Sequence, residues 1–268
     1  TKTEGTLKVD PTKVTIKAKS ASKTYDGSAL TEGGFTAEGQ AKTDTHTFTV
    51  VMTGDSTITN VGTQPNVIAT VDGVAVKTDA ETAVGNYLVK VENGTLEITK
   101  AEMTVTAVNY SGTYDGETHE GGATASVTDG TTIQYSTDGG ETWSEIAPSI
   151  KDFGEVPYMV KATNPNYEDA EAEGTLAVTK RAVTLTSATD SKSYDGTELT
   201  NGEVTVGGEG FVEGEGASYN VTGTQTLVGS SANAFTYTLN DGTNADNYNI
   251  TKTEGTLKVD PTKVTIKA

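Results

Sequence analysis

The sequence predicts an all-β chain of three tandem Ig-like β-sandwich modules in an elongated rod, and three observations carry that expectation. The 18-residue stretch TKTEGTLKVDPTKVTIKA occupies residues 1–18 and recurs letter for letter at residues 251–268, a period of 250 residues. Gly-Thr-Leu recurs inside that period, at Gly5, Gly94, Gly174 and Gly255, so three modules fill it. Apolar residues alternate with polar ones in short runs, the period of a strand with one buried face.

The marks share one register. Each Gly-Thr-Leu is followed 20 residues later by Tyr-Asp-Gly: Tyr25, Asp26 and Gly27, then Tyr114, Asp115 and Gly116, then Tyr194, Asp195 and Gly196. Eight residues before Gly94, Gly174 and Gly255 stands Asn-Tyr: Asn86 and Tyr87, Asn166 and Tyr167, Asn247 and Tyr248. The boundaries then fall at 11–100, 101–180 and 181–260. Residues 1–10 read as the closing strand of a preceding module and 261–268 as the opening strand of a following one. Modules of about 80 to 90 residues are large enough for a small independent core.

Taken in order, Leu7 and Val9 alternate before Asp10-Pro11, and Val14, Ile16 and Ala18 alternate after it, giving strand, joint, strand. A lone strand with Leu7 and Val9 exposed has no reason to be ordered in water, so residues 1–10 are expected to pair with a third-module sheet. Tyr-Asp-Gly closes the first strand region, with Asp-Gly expected to supply the positive-φ positions of a tight turn. Leu30 and Leu199 lie five residues after their tyrosines, and His119 takes that slot in the middle module, which makes it a packed substitute for leucine. Val61-Gly62, Phe153-Gly154 and Val228-Gly229 read as turns that precede strands. Asn-Tyr opens the last alternating strand, in a position reminiscent of a tyrosine corner. The only helix candidates are residues 78–84 and 169–173, one or two turns each. A β-grasp-like fold is the alternative at this module size, but it needs a longer helix.

The middle module is a different subtype. Its Ser136-Thr137-Asp138-Gly139-Gly140-Glu141-Thr142-Trp143 fits the S-x-D-x-G-x-T-W pattern of the Asp-box hairpin found in sialidases among other proteins. In that motif Asp138 caps the hairpin and Trp143 anchors it. A sugar-stacking role is the rival reading for Trp143.

Composition excludes much. There is no cysteine, and the net charge of −18 disfavours nucleic acid and anionic membrane as partners, since both need a cationic face. No apolar run is long enough to insert in a bilayer. His46 and His119 sit in different modules, so neither a metal triad nor a Ser-His-Asp relay has its parts together. Residues 241–247 match only the beginning of a calcium loop. No catalytic residue, cofactor or metal is expected, and no Lys-Asn cross-link either, because Lys17 and Lys90 alternate outward. The linkers around residues 99–102, 179–182 and 260–263 contain no glycine. They predict stiff joints and a length of roughly 100 to 130 Å.

In the order and offsets of Tyr-Asp-Gly, Val/Phe-Gly, Asn-Tyr and Gly-Thr-Leu-x-Val/Ile, all three modules resemble the YDG and MBG families of tandem repeats in bacterial cell-surface proteins. That resemblance implies an extracellular stalk or adhesin repeat and no enzyme. The partners that the identical strand at residues 1–10 and 251–260 points to are neighbouring identical repeats in one polymer or head-to-tail copies. Two rival functions are direct binding of host protein or glycan and a polymerising filament subunit.

Overall fold

The computed structural model describes residues 4–267, and among them the chain is all-β, with a single 3₁₀ turn at Ala245–Asn247 and no α-helix. Neither helix candidate forms. Thr82–Val84 is a strand, and residues 169–173 lie inside the long strand Tyr167–Thr179. Segments of one or two turns cannot repay helix nucleation, whereas a neighbouring strand satisfies their backbone groups at once. The β-grasp alternative falls with them.

The residues group into two compact units. One holds the chain up to Thr104 with Ala125–Thr132 and Ala162–Ala170, and the other holds Val105–Thr124, Ile133–Lys161 and Glu171 onward. The second sequence repeat therefore contributes to both.

In the first unit, Thr12–Ala18 is an inner strand of its sheet, antiparallel to Phe35–Glu38 on one side and parallel to Tyr87–Glu92 on the other. A second sheet is Val50–Met52, Ile68–Val71 and Val74–Ala75. Val14, Ile16, Val89 and Val91 from the first face Ile68, Val71 and Phe48, all buried in one core, so the two sheets form a sandwich. The second unit repeats the plan. Arg181–Ser187 pairs with Val204–Gly208 and, in parallel, with Tyr248–Thr253. Val183, Leu185 and Tyr248 then share a core with Phe235 of the antiparallel pair Ala217–Val221 and Phe235–Leu239. These are Ig-like β-sandwiches in tandem.

Both units pass a parallel pair of strands from one sheet to another. Thr12–Ala18 and Tyr87–Glu92 end together and resume as Ala21–Thr24 and Gly94–Thr99, again parallel. Arg181–Ser187 and Tyr248–Thr253 likewise resume as Asp190–Ser193 and Gly255–Asp260. The crossing brings two backbones together. A Cβ on Gly94 would lie 2.3 Å from Lys19 O, and one on Gly255 would lie 2.3 Å from Ala188 O. Glycine at these two Gly-Thr-Leu marks is thus a packing requirement. Buried Asn66 clamps the first crossing by donating from Nδ2 to Lys19 O (2.9 Å) and Glu32 O (2.8 Å). Buried Asn233 does the same to Ala188 O (3.0 Å) and Asn201 O (2.9 Å). In the second repeat the strand runs through without a break, and Gly174 instead makes room for the ring of Tyr158.

The two copies of the 18-residue stretch differ in structure. Gly255–Asp260 is a strand with Leu257 and Val259 buried, while residues 4–10 form no strand and leave Leu7 99% and Val9 95% exposed. Thr12–Ala18 is a strand with Val14 and Ile16 buried, while residues 261–267 form none and expose Val264 and Ile266. The expectation that residues 1–10 pair with a third-module sheet concerns a third module other than this chain's own; within the chain residues 4–10 form no strand, and residues 1–3 lie outside the described residues. A strand needs a partner edge, and in this chain Gly255–Asp260 already fills the matching place between Asp190–Ser193 and Gly229–Asn233.

Candidate functional site

The three Tyr-Asp-Gly turns are built alike but not as expected. Only the glycines, Gly27, Gly116 and Gly196, take positive φ, and the aspartates do not. Each carboxylate instead accepts from the backbone two residues on: Ser28 N to Asp26 (2.8 Å), Glu117 N to Asp115 (2.9 Å) and Thr197 N to Asp195 (2.9 Å). This is an Asx turn, in which the side chain mimics a backbone acceptor. The positive-φ Asp-Gly pair lies elsewhere, at Asp72-Gly73, between the strands Ile68–Val71 and Val74–Ala75.

Lys23 donates to Asp26 at 2.6 Å and Lys192 to Asp195 at 2.9 Å. In the second repeat His119 Nε2 shares that role with Asp115 at 3.1 Å and stacks on Tyr110 at 3.7 Å. His119 also pairs with Ile150, as Leu30 bridges to Ile58 and Leu199 to Gln225, so it does occupy the leucine slot.

The Asp-box hairpin has its internal bonds in place. Thr142 N and Oγ1 donate to Asp138 at 3.0 and 2.5 Å, Ser136 Oγ lies 2.6 Å from Asp138, and Gly140 N donates to Ser136 Oγ at 2.9 Å. Trp143 Nε1 donates to Gly140 O at 3.1 Å, tying the indole to the turn it anchors. An open cleft of about 300 Å³ lies beside it, lined by Tyr135, Thr142, Trp143, Ile146 and Pro148.

These turns predict an acid sensitivity. Four carboxyls of these turns are held below their ordinary value of 3.8: Asp26 chiefly by Lys23, Asp195 chiefly by Lys192, Asp138 chiefly by the Ser136 hydroxyl, and Asp115 chiefly by the Glu117 backbone N–H. A depressed folded-state pKa contributes stability that is present above the unfolded value and is lost as pH falls through the folded one. The urea midpoint is therefore expected to drop below about pH 4. The variant carrying Asp26→Asn, Asp138→Asn and Asp195→Asn should show a flatter profile, and an equally steep one would contradict the assignment.

The remaining marks meet where one repeat follows another. Tyr25 N donates to Thr99 O, Tyr114 N to Thr179 O and Tyr194 N to Asp260 O, at 2.8–2.9 Å, so each tyrosine caps the end of its repeat's last strand. Within the first unit, Asn166-Tyr167 of the second repeat lies against that end of the first. Val61 N donates to Asn166 Oδ1 (2.9 Å), Asn166 Nδ2 donates to Asn60 Oδ1 (3.2 Å), and the Tyr25 and Tyr167 rings meet edge to face at 5.5 Å. Within the second unit, Asn247-Tyr248 of the third repeat lies against the second in the same way. Phe153 N donates to Asn247 Oδ1 (2.8 Å), Asn247 Nδ2 donates to Asp152 Oδ1 (2.8 Å), and Tyr114 meets Tyr248 at 5.5 Å.

Tyr114 and Tyr248 donate to the two oxygens of Glu215, at 2.6 and 2.7 Å. Burial, aided by Glu215, pushes the Tyr248 phenol up to about 12. In the first repeat Tyr87 donates to Asp44 at 2.6 Å, a bond of the same kind. The sequence marked Tyr-Asp-Gly and Asn-Tyr separately. Their contact across consecutive repeats has no signal in the sequence, and neither have the parts of Asn60, Asp152, Asn66 and Asn233.

Among the described residues no group of three or more His, Cys, Asp or Glu is placed to hold a metal ion. No described helix is long and apolar enough to cross a membrane.

No family model and no curated protein matches the chain. Among solved structures, three N-terminal domains of the bacteriophage RB49 highly immunogenic outer capsid protein are 14% identical, with 90% of this chain and 96% of that one covered at a TM-score of 0.28. Four extracellular domains of Drosophila N-cadherin are 8% identical, covering 94% and 73% at a TM-score of 0.26. A three-domain titin fragment is 9% identical, covering 95% and 98% at a TM-score of 0.24. At such scores the likeness carries no argument, and the fold rests on the sheets and cores described above.

Proposed function

We propose that the chain is a non-enzymatic spacer, three β-sandwich repeats with boundaries at 11–100, 101–180 and 181–260, from the stalk of a bacterial cell-surface protein. The observation that supports this reading is the repeated joint. Two successive joints are built by the same residue types in the same roles, from Tyr-Asp-Gly of one repeat and Asn-Tyr of the next. The chain's most regular feature is how its repeats connect, which suits an element whose task is to hold a distance. The resemblance to YDG and MBG repeats supports the extracellular, bacterial setting and partnership with neighbouring repeats.

The open face beside Trp143 favours a second reading, a repeat that itself binds host protein or glycan. Glycan and matrix-protein arrays probed with the 268-residue chain decide between them. The spacer reading expects no retention at any valency. Retention that rises with copy number and is lost in Trp143→Ala would replace it with the binding reading.

A further inference from the structure

The end of a repeat is built three times in this chain, and in two of them the next repeat lies on it. In the first repeat, Tyr25 and Val61 flank the end of strand Gly94–Thr99, because Thr24 pairs with Thr99 on one side and Gly62 with Ile98 on the other. In the third repeat, Tyr194 and Val228 flank the end of Gly255–Asp260 in the same register, with Ser193 opposite Asp260 and Gly229 opposite Val259. There Tyr194 is 41%, Leu227 69% and Val228 53% exposed. Three neighbouring apolar side chains stand in water at the place where the other two repeats meet an Asn-Tyr pair.

From this we infer that the Tyr194–Val228 face receives Asn86-Tyr87 of a second copy of the first repeat, with Thr262 in the place that Thr12 holds, through the same contacts as the two internal joints. The register of the linkers supports that occupant. Ala101 and Arg181 stand at one linker position, three residues beyond Ile98 and Val178, and pair in parallel with Tyr167 and Tyr248. Thr12 pairs in parallel with Tyr87, and it too stands three residues beyond Val9. Thr262 holds that position after Val259, in a linker identical to residues 9–14. It already bonds through Oγ1 to Tyr194 O, as the Arg181 guanidinium bonds to Tyr114 O. The linker that leads out of the third repeat is therefore the linker that leads into the first. Asn86 is exposed and precedes its tyrosine, as Asn166 and Asn247 precede theirs.

One arm differs. Leu227 stands where Asn60 and Asp152 accept from the asparagine Nδ2, so this joint keeps the amide bond and the tyrosine pair but not the second hydrogen bond.

The inference deepens the spacer reading, since it makes the joint a continuing one. Its test is amide hydrogen exchange at Val228 in the 268-residue chain and in a chain where a second copy of residues 19–100 is fused after Ala268, which tethers the partner at high effective concentration. In the fused chain Val228 N–H is expected to exchange at least about tenfold more slowly, as an amide bonded to a buried side-chain oxygen does. Alanine in place of the second copy's asparagine should remove the protection, Asn86→Ala in the first copy should not, and Leu227→Asn should increase it. Equal exchange in the two chains overturns the inference, as does protection that survives loss of the second copy's asparagine. The spacer reading fails separately: array retention with a protected Val228 overturns that reading alone, and an unprotected Val228 with silent arrays overturns only this one.

Discussion

Gly255→Ala is expected to destabilise the third repeat by about 3 kcal/mol or more, while Gly5→Ala, the same change in the same local sequence, leaves stability unchanged. A Cβ on Gly255 would sit 2.3–2.5 Å from Ala188 O, Ser187 O and Ala188 C, all backbone atoms of the strand that crosses beside it, and no side-chain rotation relieves that overlap. A Cβ on Gly5 meets nothing within 4 Å. Urea unfolding of the two variants checks this, read by the fluorescence of tyrosines such as Tyr248 in the affected core. Equal midpoints would show that the crossing is not the tight point described.

Asn233→Asp is the second large expected effect. The Asn233 Nδ2 donates to two backbone carbonyls at a fully buried site. A carboxylate there can donate to neither, and the oxygen in place of Nδ2 would face two carbonyl oxygens at about 3 Å. Asn233→Ala leaves both carbonyls unpaired and should cost about 2–4 kcal/mol, and Asn233→Asp should cost more at neutral pH. Burial raises the folded-state pKa of the new acid. Its penalty is therefore smallest below the unfolded value near 4 and grows as pH rises through the window up to the folded value. Thermal unfolding at pH 4 and pH 7 separates the cases. If Asn233→Asp is no worse at pH 7 than at pH 4, the carboxylate is not confined to that clamp.

Much of the fold was legible because strand burial writes itself as alternation. Val14, Ile16 and Ala18 were read as one inward face, and all three are buried beside Val89 and Val91 of the parallel strand. Tyr87, Tyr167 and Tyr248 open strands as expected, and Gly62, Gly154 and Gly229 begin strands after their turns. Strict alternation breaks within the strand Ile68–Val71. Ile68 and Val71 are the buried pair there, because the register with Val50–Met52 shifts between Val51 and Met52, and a bulge moves the inward face by one residue. The helix candidates failed for the converse reason, that a polar, alanine-containing segment carries little local preference and takes whatever edge is nearest.

The site was half legible. Repetition singled out Tyr-Asp-Gly, Asn-Tyr and Gly-Thr-Leu, and each of the three marks has a specific structural place in at least two repeats. Their mutual contact was hidden because Tyr25 and Tyr167, or Tyr114 and Tyr248, lie more than a hundred residues apart and no periodicity relates them. A polar residue such as Asn66 or Asn233 in an otherwise ordinary strand gives no sign that its amide closes a crossing 30 to 50 residues away.

The sequence by itself determined the repeat, its period, the inward face of most strands and the positions of the turn glycines. Only the tertiary structure decided what a given segment becomes. Residues 5–10 and 255–260 are one sequence, yet Leu7 is 99% exposed outside any strand and Leu257 is fully buried within one. Residues 14–16 and 264–266 are one sequence too, with Ile16 buried and Ile266 89% exposed. A helix satisfies its hydrogen bonds within itself, but a strand takes every one from a neighbour, and its apolar face gains only when an opposing sheet covers it. Alternation therefore specifies which side would face inward. Whether there is an inside is set by residues far along the chain.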